Sequence, residues 1–385
     1  MKAAAVAAGL LASAAAHAQS GAQRCGTDLW VHWMRYVESF VSPDGRVIDR
    51  SAADRSTSEG QAYAMFFALV ANDRQLFARL LGWSERNLAE GDLRRRLPAW
   101  HWGKRRDGTW GVLDRNSASD ADLWMAYALL EAGRLWSAPE YDELGRRMLA
   151  NVVAREVVDL PGLGPMLLPG PAGFALDGGR AFRLNPSYQP PQLLQRFRSA
   201  RVPGPWIGIL ASAARMLRET APAGVVADWV LYRPRRGFAV DPVHGRTGSY
   251  DAIRAYLWAG MLPEDEPARE ELAGALGGLL EQLARTGRVP ERIDTRSLHA
   301  RGDAPPGFAA ALLPLARARN DEAASRALQQ RLSAAMRNDL YGEPPAYYDQ
   351  NLALFGRGFV EGRFRFGADG ALLTAWETRC LGRAR

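Results

Sequence analysis

Helical segments of two kinds alternate along this chain, and this alternation limits the possible folds more than any other feature. One kind is apolar on nearly every side, as in Ala62–Val70 and Leu123–Leu130. The other is amphipathic and rich in charge, as in 138–155 and 320–336. A helix without a polar side must be buried, whereas an amphipathic helix lies between a core and solvent. The sequence therefore predicts inner helices covered by outer ones.

The apolar periodicity also predicts where these helices lie. Helices are expected near 28–41, 59–71, 73–89, 120–135, 138–155, 203–219, 266–286 and 320–336, and also near 189–199, 250–260, 307–318 and 346–356. The buried ones begin near 59, 120, 188, 251, 307 and 347, which fits a double-layered barrel of helical hairpins. An irregular helical bundle is the alternative. Long Gly-, Pro- and aromatic-rich segments near 91–119, 156–187 and 220–249 are expected to be functional loops.

The first 18 residues have the pattern of a secretory signal peptide. Lys2 precedes an apolar run, and Ala16-His17-Ala18 forms a small-residue cleavage site. That run is too short to span a bilayer, and no later stretch is long enough. We therefore expect cleavage near Ala18, a periplasmic or secreted protein without membrane insertion, and one domain over residues 19–385.

The formal net charge of +7 raises the question of nucleic-acid binding. The basic residues other than Lys2 and Lys104 are arginines, and they are scattered among acids in an Ala- and Gly-rich chain. This distribution indicates a compositional bias, so we expect no nucleic-acid partner.

Histidine and cysteine form no familiar metal or nucleophile motif. The sequence has no H-x-x-x-H or C-x-x-C spacing, no G-x-S-x-G elbow and no glycine-rich phosphate loop. We therefore expect neither a metal nor a cofactor. Cys25 and Cys380 stand near opposite ends of the mature chain; an oxidising compartment permits a disulfide between them, and the sequence leaves that pairing open.

Carboxylates remain as candidates for chemistry. Glu59, Asp120 and Asp251 each stand at the start of a buried helix behind small hydroxyl residues, and Ser58 with Gln61 has the spacing of a capping box. Helix capping would explain any one of them alone. Together, however, they are expected to gather at one mouth of the barrel. Grouped carboxylates beside Trp-rich loops suit cleavage of a glycosidic bond, in which one acid protonates the leaving oxygen and a second carboxylate activates water or attacks the sugar.

The segments around these carboxylates carry a family resemblance. The run Ala118–Ala132, ending at Trp136, resembles the signature of glycoside hydrolase family 8. Ser58–Met65 and Ser249–Arg254 resemble the family's proton-donor and general-base segments. The resemblance covers nearly all of the mature chain, and these further segments look like periplasmic endoglucanases encoded with bacterial cellulose synthase: 97–100, 161–164, 185–188 and 228–230.

This resemblance implies an all-α fold, an (α/α)6 barrel with six inner and six outer helices. It implies an inverting endo-1,4-β-glucanase, a cellulase, that acts on β-1,4-glucan during cellulose biosynthesis or export, with the synthase and export machinery as a further partner. Glu59 would be the general acid and Asp251 the general base. Asp120 would hydrogen-bond the sugar at the cleavage point, and the alternative for Asp120 is the nucleophile of a retaining reaction.

Other residues are candidates for binding and orientation. Arg254 follows Asp251 by one helical turn, which suits it to keep that carboxylate ionised. Tyr188 and Tyr250 are candidates to orient the attacking water. The candidates for stacking on sugar rings are Trp100, Trp102, Trp110, Trp124, Tyr347 and Tyr348. Core packing is the alternative for Trp124, which lies inside an apolar helix.

Two rival functions stay open. The same fold could act on another β-1,4 polymer, chitosan or xylan, although a cationic chitosan calls for an acidic cleft and this chain is basic. The chain could also be a non-catalytic glycan-binding component of an exopolysaccharide secretion system, but the presence of all three carboxylates argues against that function.

Overall fold

The computed structural model describes residues 29–266 and 268–377, and a closed ring of helices lies at the centre of this part of the chain. The inner helices are α2 (Ser58–Val70), α4 (Ser119–Trp136), α6 (Pro191–Ser199), α8 (Ile253–Gly260), α11 (Pro306–Ala318) and α13 (Tyr347–Val360). Each contacts the next along the chain, and α13 also contacts α2, so the ring closes.

A second layer of helices surrounds this ring. It consists of α1 (Val31–Phe40), α3 (Arg74–Leu88), α5 (Pro139–Glu156), α7 (Trp206–Thr220), α9 (Ala268–Ala275), α10 (Gly278–Thr286) and α12 (Glu322–Ala335). Helices α3, α5, α7, α9 and α12 each pack on the inner helix that precedes them, and α1 packs on α13. The expected (α/α)6 barrel is confirmed.

The two layers differ in burial as the sequence predicts. Every residue of α2 is buried except Glu59, whereas α5 buries one stripe that includes Leu144, Met148 and Val152. Close contact within the ring also depends on a small residue. A Cβ on Gly356 of α13 would strike the carbonyl oxygen of Ala310 in α11, so only glycine allows these two helices to approach so closely.

The predicted helix near 266–286 is wrong as a single element. It divides into α9 and α10, with the break after Ala275. At the break, the N–H of Gly278 donates to the carbonyl of Gly224 at 3.1 Å, and a Cβ on Gly278 would meet the carbonyl oxygen of Ala223. A continuous helix would leave no room for this loop. The other predicted helices are present, with ends shifted by a few residues.

Short antiparallel strands occupy much of the long segments between helices. They are β1 (Ser56–Thr57), β2 (His101–Lys104), β3 (Trp110–Asp114), β4 (Val157–Leu160), β5 (Gly164–Leu167), β6 (Ala175–Leu176), β7 (Ala181–Leu184), β8 (Val230–Arg233), β9 (Gly237–Val240), β10 (Thr247–Gly248), β11 (Arg292–Asp294), β12 (Ala300–Arg301), β13 (Met336–Arg337), β14 (Leu340–Tyr341), β15 (Phe364–Phe366) and β16 (Leu372–Thr374). Their sheets have the orders β1-β2-β3, β4-β5, β6-β7-β8-β9, β10-β11-β12, β13-β14 and β15-β16.

Two expectations concern parts of the chain beyond this description. The signal peptide at 1–18 lies outside the described residues, as do Cys25 and Cys380. Among the described residues, every helix is too short or too polar to cross a bilayer.

Candidate active site

Glu59 stands in the first turn of α2 and is the one residue of that helix with access to solvent. Thr57 is the N-cap, and its hydroxyl oxygen accepts the N–H of Gly60 at 3.1 Å. A Cβ on Gly60 would strike the hydroxyl group of Tyr347, so glycine admits that hydroxyl to the helix end. These contacts fix the turn that carries Glu59.

The capping box predicted from Ser58 and Gln61 is wrong. Ser58 is already helical, and its N–H donates to the carbonyl of Trp100 at 3.1 Å. Gln61 points into the core, where it accepts the N–H of Val47 at 2.6 Å and donates to the hydroxyl of Ser84 at 3.0 Å. A buried amide needs hydrogen-bond partners, and the core provides them here.

Asp120 is the second residue of α4, and its side chain is only 4% exposed. Oδ1 accepts the N–H of Ala121 at 2.8 Å. Asp251 lies in the turn just before α8 rather than inside the helix, and its side chain is 33% exposed. Of these two carboxylates, only Asp251 therefore has substantial access to solvent.

A single guanidinium group joins the three carboxylates. Arg254, in the first turn of α8, is 3% exposed, and its Nη1 contacts both Glu59 and Asp120, the latter at 2.9 Å from Oδ2. Its Nη2 lies 2.9 Å from Oδ1 of Asp251. The structure thus brings together all four residues, and Arg254 binds two more carboxylates than sequence spacing suggested.

Burial changes the protonation of this cluster. It raises the pKa of Asp120 to about 7 although the Arg254 cation opposes the shift, and the charge of Glu59 adds to it. Burial likewise raises the pKa of Asp251 to about 6, again against the effect of Arg254. Three carboxylates outnumber one cation, so full ionisation would leave uncompensated negative charge in a buried site. The arrangement therefore favours retention of a proton near neutral pH.

Tyr188 lies beside this cluster. The centre of its ring is 5.4 Å from the guanidinium carbon of Arg254. Burial raises the pKa of Tyr188 well above its usual value, and the charges of Asp120 and Asp251 add to the shift, so its hydroxyl stays protonated as a hydrogen-bond donor.

The phenol group of Tyr250 does not lie where it could orient a water beside Asp251, which is the role predicted for it. Its side chain is exposed, and its hydroxyl lies 3.4 Å from a carboxylate oxygen of Glu291. Its backbone carbonyl accepts the hydroxyl of Tyr348 at 2.6 Å. The phenol group of Tyr250 is thus engaged with Glu291.

The neighbouring residues Tyr347 and Tyr348 also differ in placement. Tyr347 is 6% exposed, and its hydroxyl lies 3.5 Å from that of Thr57, so it supports the start of α2 and offers little ring surface to a sugar. Its assignment as a stacking platform is therefore corrected. Tyr348 interacts electrostatically with Arg254 and Glu59, which places it at the site.

The tryptophans are divided between the core and the surface. Trp124 is 1% exposed, so core packing is the right interpretation for it. Trp100 is half-buried and stacks on His101, with ring centres 4.6 Å apart. Trp102 stacks on Trp110 at 5.2 Å, and the guanidinium of Arg46 lies over both of these rings. Of the four tryptophans predicted to stack on sugar rings, Trp100 and Trp102 are thus partly exposed, Trp110 is exposed and Trp124 is buried.

Sequence reasoning missed Asp228 as a residue of this site. Its Oδ1 accepts the N–H groups of Asp251 at 3.2 Å and of Ala252 at 2.8 Å. The next residue, Trp229, lowers the pKa of Asp251 because its indole N–H favours the ionised carboxylate. The available signals were the family-like segment 228–230 and its position in the long segment 220–249, but no periodic pattern shows that a loop residue will cap a distant helix.

Two further acids lie near Asp120, in addition to the carboxylates that Arg254 binds. Asp122 and Glu156 are fully buried, and the hydroxyl of Ser117 donates to Glu156 Oε1 at 2.6 Å. Burial raises the pKa of Glu156 to about 7. Burial and the facing Glu156 charge raise the pKa of Asp122 well above its usual range. The described residues place no cation in an ion pair with either acid, so these two carboxyl groups retain protons more strongly than ordinary acids.

Comparison with known proteins identifies similar chains along the whole length. The family model "Glycosyl hydrolases family 8" matches residues 1–362. An endoglucanase of Xanthomonas axonopodis pv. citri is 48% identical over 372 residues, which is 96% of this chain and 95% of that protein. An endoglucanase of Escherichia coli (strain K12) is 44% identical over 352 residues, covering 91% and 92% respectively. The crystal structure of an endo-1,4-D-glucanase from Vibrio fischeri ES114 has a TM-score of 0.84 and 40% identity, and covers 91% of this chain and 100% of that one.

Proposed function

The chain belongs to glycosyl hydrolase family 8, and from this premise we propose that it is an endo-1,4-β-glucanase that cuts internal bonds of cellulose. The observation that carries the proposal is the convergence of Glu59, Asp120 and Asp251 on Arg254. Hydrolysis of a glycosidic bond needs an acid and a base at one sugar, and this cluster brings together carboxyl groups that can serve as both.

In the proposed reaction, Glu59 donates a proton to the glycosidic oxygen as the bond from that oxygen to C1 breaks. Asp251 accepts a proton from the water that attacks C1 from the opposite face. The leaving chain end receives its hydrogen from Glu59, and the new reducing end receives the hydroxyl group of the water. The proton taken up by Asp251 passes to solvent, and Glu59 regains a proton from solvent, so that one water is consumed in each cycle. The hydroxyl of Tyr188, which stays protonated beside Asp251, suits the orientation of that water.

Exposure favours Asp251 over Asp120 as the residue that acts on C1. The Asp251 side chain is 33% exposed, whereas that of Asp120 is 4% exposed with both oxygens engaged, by Ala121 and Arg254. Glu59 and Asp251 also contact different nitrogens of Arg254. In an inverting enzyme the second carboxylate activates a water and does not itself attack the sugar, which suits the more accessible Asp251. We therefore propose inversion, with Asp120 holding the sugar at the cleavage point.

We also propose that residues 1–18 are a signal peptide, and that residues 19–385 form one catalytic domain in the periplasm or outside the cell. Lys2, the apolar run and the Ala16-His17-Ala18 site support this placement. A role in cellulose biosynthesis or export, beside the synthase machinery, rests on the resemblance to endoglucanases encoded with cellulose synthase.

The proposal is tested by release of reducing ends from carboxymethylcellulose, mixed-linkage glucan, xylan and chitosan. We expect release from the first two, and loss of that release in Glu59→Gln and Asp251→Asn with unchanged thermal unfolding. Glu219→Gln is the matched control, because Glu219 is an exposed partner of Arg215. Cleavage restricted to xylan or chitosan would select that rival, and binding of glucan without cleavage of any polymer would indicate a non-catalytic protein.

A further inference from the structure

Two consecutive residues hold the turn that presents Asp251, and both come from a distant part of the chain. Asp228 Oδ1 accepts the backbone N–H groups of Ser249, Asp251 and Ala252 at 2.8, 3.2 and 2.8 Å. Its Oδ2 accepts the hydroxyl of Ser249 at 2.7 Å. Helix α8 has no capping side chain of its own, so Asp228 serves the role of an N-cap from outside the helix.

Trp229 approaches Asp251 from the side-chain direction. Its ring stacks on Phe174, with centres 6.0 Å apart and planes 4° apart, and on His244, with centres 5.3 Å apart. These stacking contacts fix the plane of the indole, whose N–H favours the ionised form of the Asp251 carboxyl group.

His244, one of the two rings that stack on Trp229, is itself held by hydrogen bonds. His244 Nδ1 lies 2.9 Å from Oδ1 of Asp241, a carboxylate that is fully buried. Asp241 also accepts Nε of Arg183 at 2.7 Å and the backbone N–H groups of Val243 and His244. The indole is therefore held by a chain of ordered groups rather than by packing alone.

We propose that Asp228 and Trp229 are positioning residues for Asp251, one gripping the backbone of its turn and the other its carboxylate. This inference rests on the proposed function, in which Asp251 is the general base. In this inference both residues act through Asp251.

The two residues have opposite electrostatic effects on Asp251. The negative charge of Asp228 raises the pKa of Asp251, whereas the Trp229 N–H lowers it by stabilising the carboxylate. Arg254 also lowers that pKa, and the charge of Glu59 raises it. The remaining titratable groups that interact with Asp251 are Asp120, Tyr188 and Tyr348. Loss of the Asp228 charge and loss of the Trp229 N–H should therefore shift the titration of Asp251 in opposite directions.

The test is the pH dependence of kcat/KM on carboxymethylcellulose for Asp228→Asn and Trp229→Phe. A base must be ionised, so the acidic limb of the profile reports Asp251 in the free enzyme. We expect the limb to move to lower pH in Asp228→Asn and to higher pH in Trp229→Phe, each by at least about half a unit. We also expect kcat to fall about tenfold in each variant, with little change in KM, because misplacement of the base affects the chemical step.

Matched controls separate positioning from general stability. Asp73→Asn weakens a capping carboxylate of α3, and Trp206→Phe removes an indole N–H that donates to the carbonyl of Val202. Both should lower Tm without moving the limb. An unmoved limb in Asp228→Asn, or movement of both site variants in one direction, overturns the inference. If Trp229→Phe does not fold, the sign in Asp228→Asn decides alone. Activity in Asp251→Asn would instead overturn the proposed function, so the two failures are distinguishable.

Discussion

Nη1 of Arg254 lies 2.9 Å from Oδ2 of Asp120, a residue 134 positions earlier in the chain. The same nitrogen contacts Glu59, and Nη2 binds Asp251. One planar group thus sets the relative positions of three carboxylates from three inner helix starts. Because the guanidinium is rigid, the spacing of its nitrogens determines the spacing of the acids that it binds.

Replacement of this group should disable the site. In Arg254→Lys, a single ammonium replaces a planar fork and cannot bind all three carboxylates in the same geometry. We expect kcat/KM to fall about 100-fold or more, as follows from misplacement of catalytic groups by about 1 Å. Arg215→Lys is the control, since Arg215 and Glu219 form an exposed i,i+4 pair with little effect on stability. Activity near that of the parent in Arg254→Lys would show that the guanidinium group is not required for catalysis.

The stereochemistry of the first product tests the role of Asp251. Direct displacement by water should yield new reducing ends in the α configuration, whereas a covalent intermediate on Asp120 would give β ends. Proton NMR of cellopentaose hydrolysis, recorded before mutarotation, distinguishes the two anomers. Initial β product would assign the nucleophile role to Asp120 and retention to the reaction.

Stability should depend on pH through the buried acids. Burial raises the pKa of Glu156 from 4.5 to about 7, so its proton is bound more tightly in the folded state. The stability gained from that proton is fully present below pH 4.5 and is lost as pH rises through about 7. We therefore expect Tm to fall between pH 5 and pH 8, and to fall less in Glu156→Gln, which cannot ionise. Calorimetry measures both, with the exposed Glu219→Gln as control; an equal slope in Glu156→Gln and the parent would contradict this assignment.

Two glycine-to-alanine changes should have opposite effects on unfolding. Gly356→Ala drives a methyl group into the carbonyl of Ala310 and should destabilise the protein by about 1–3 kcal/mol. Gly274→Ala, in α9, meets no atom within 4 Å, and should be neutral or stabilise by up to about 1 kcal/mol. Urea unfolding compares the two variants. A stable Gly356→Ala protein would mean that α11 and α13 can separate without loss of the ring.

The sequence predicted those features that depend on periodic burial. The burial of α2 around Glu59 was predicted from a helix that has no polar side. The same pattern predicted that Asp120 and Asp251 would lie near Glu59. Residues that act across distant segments gave no such pattern. The carboxylate of Asp228 accepts a backbone N–H group 23 positions later in the chain. A hydrogen bond of this kind, made from a loop, leaves no periodic pattern in the sequence.

Adjacent side chains were a second source of error. Tyr347 and Tyr348 are consecutive on α13, so they point about 100° apart around the helix axis. Tyr347 supports the start of α2 from inside, and Tyr348 lies at the site. Both are aromatic residues at the start of a helix, so the sequence pattern does not separate them. Only the direction in which each side chain leaves the folded helix distinguishes them.

The bond between Arg254 and Glu59 spans 195 positions, which has a consequence for the order of folding. A chain emerging from the ribosome contains Glu59 and Asp120 well before it contains their only described cation. Until α8 arrives, burial of these acids is opposed by their own charge, so the first half of the barrel should stay loose. Such distant pairing raises contact order and slows folding. Hydrolytic competence is thus acquired only after α8 has been added, and fragments that end before Arg254 would be unable to cut glucan.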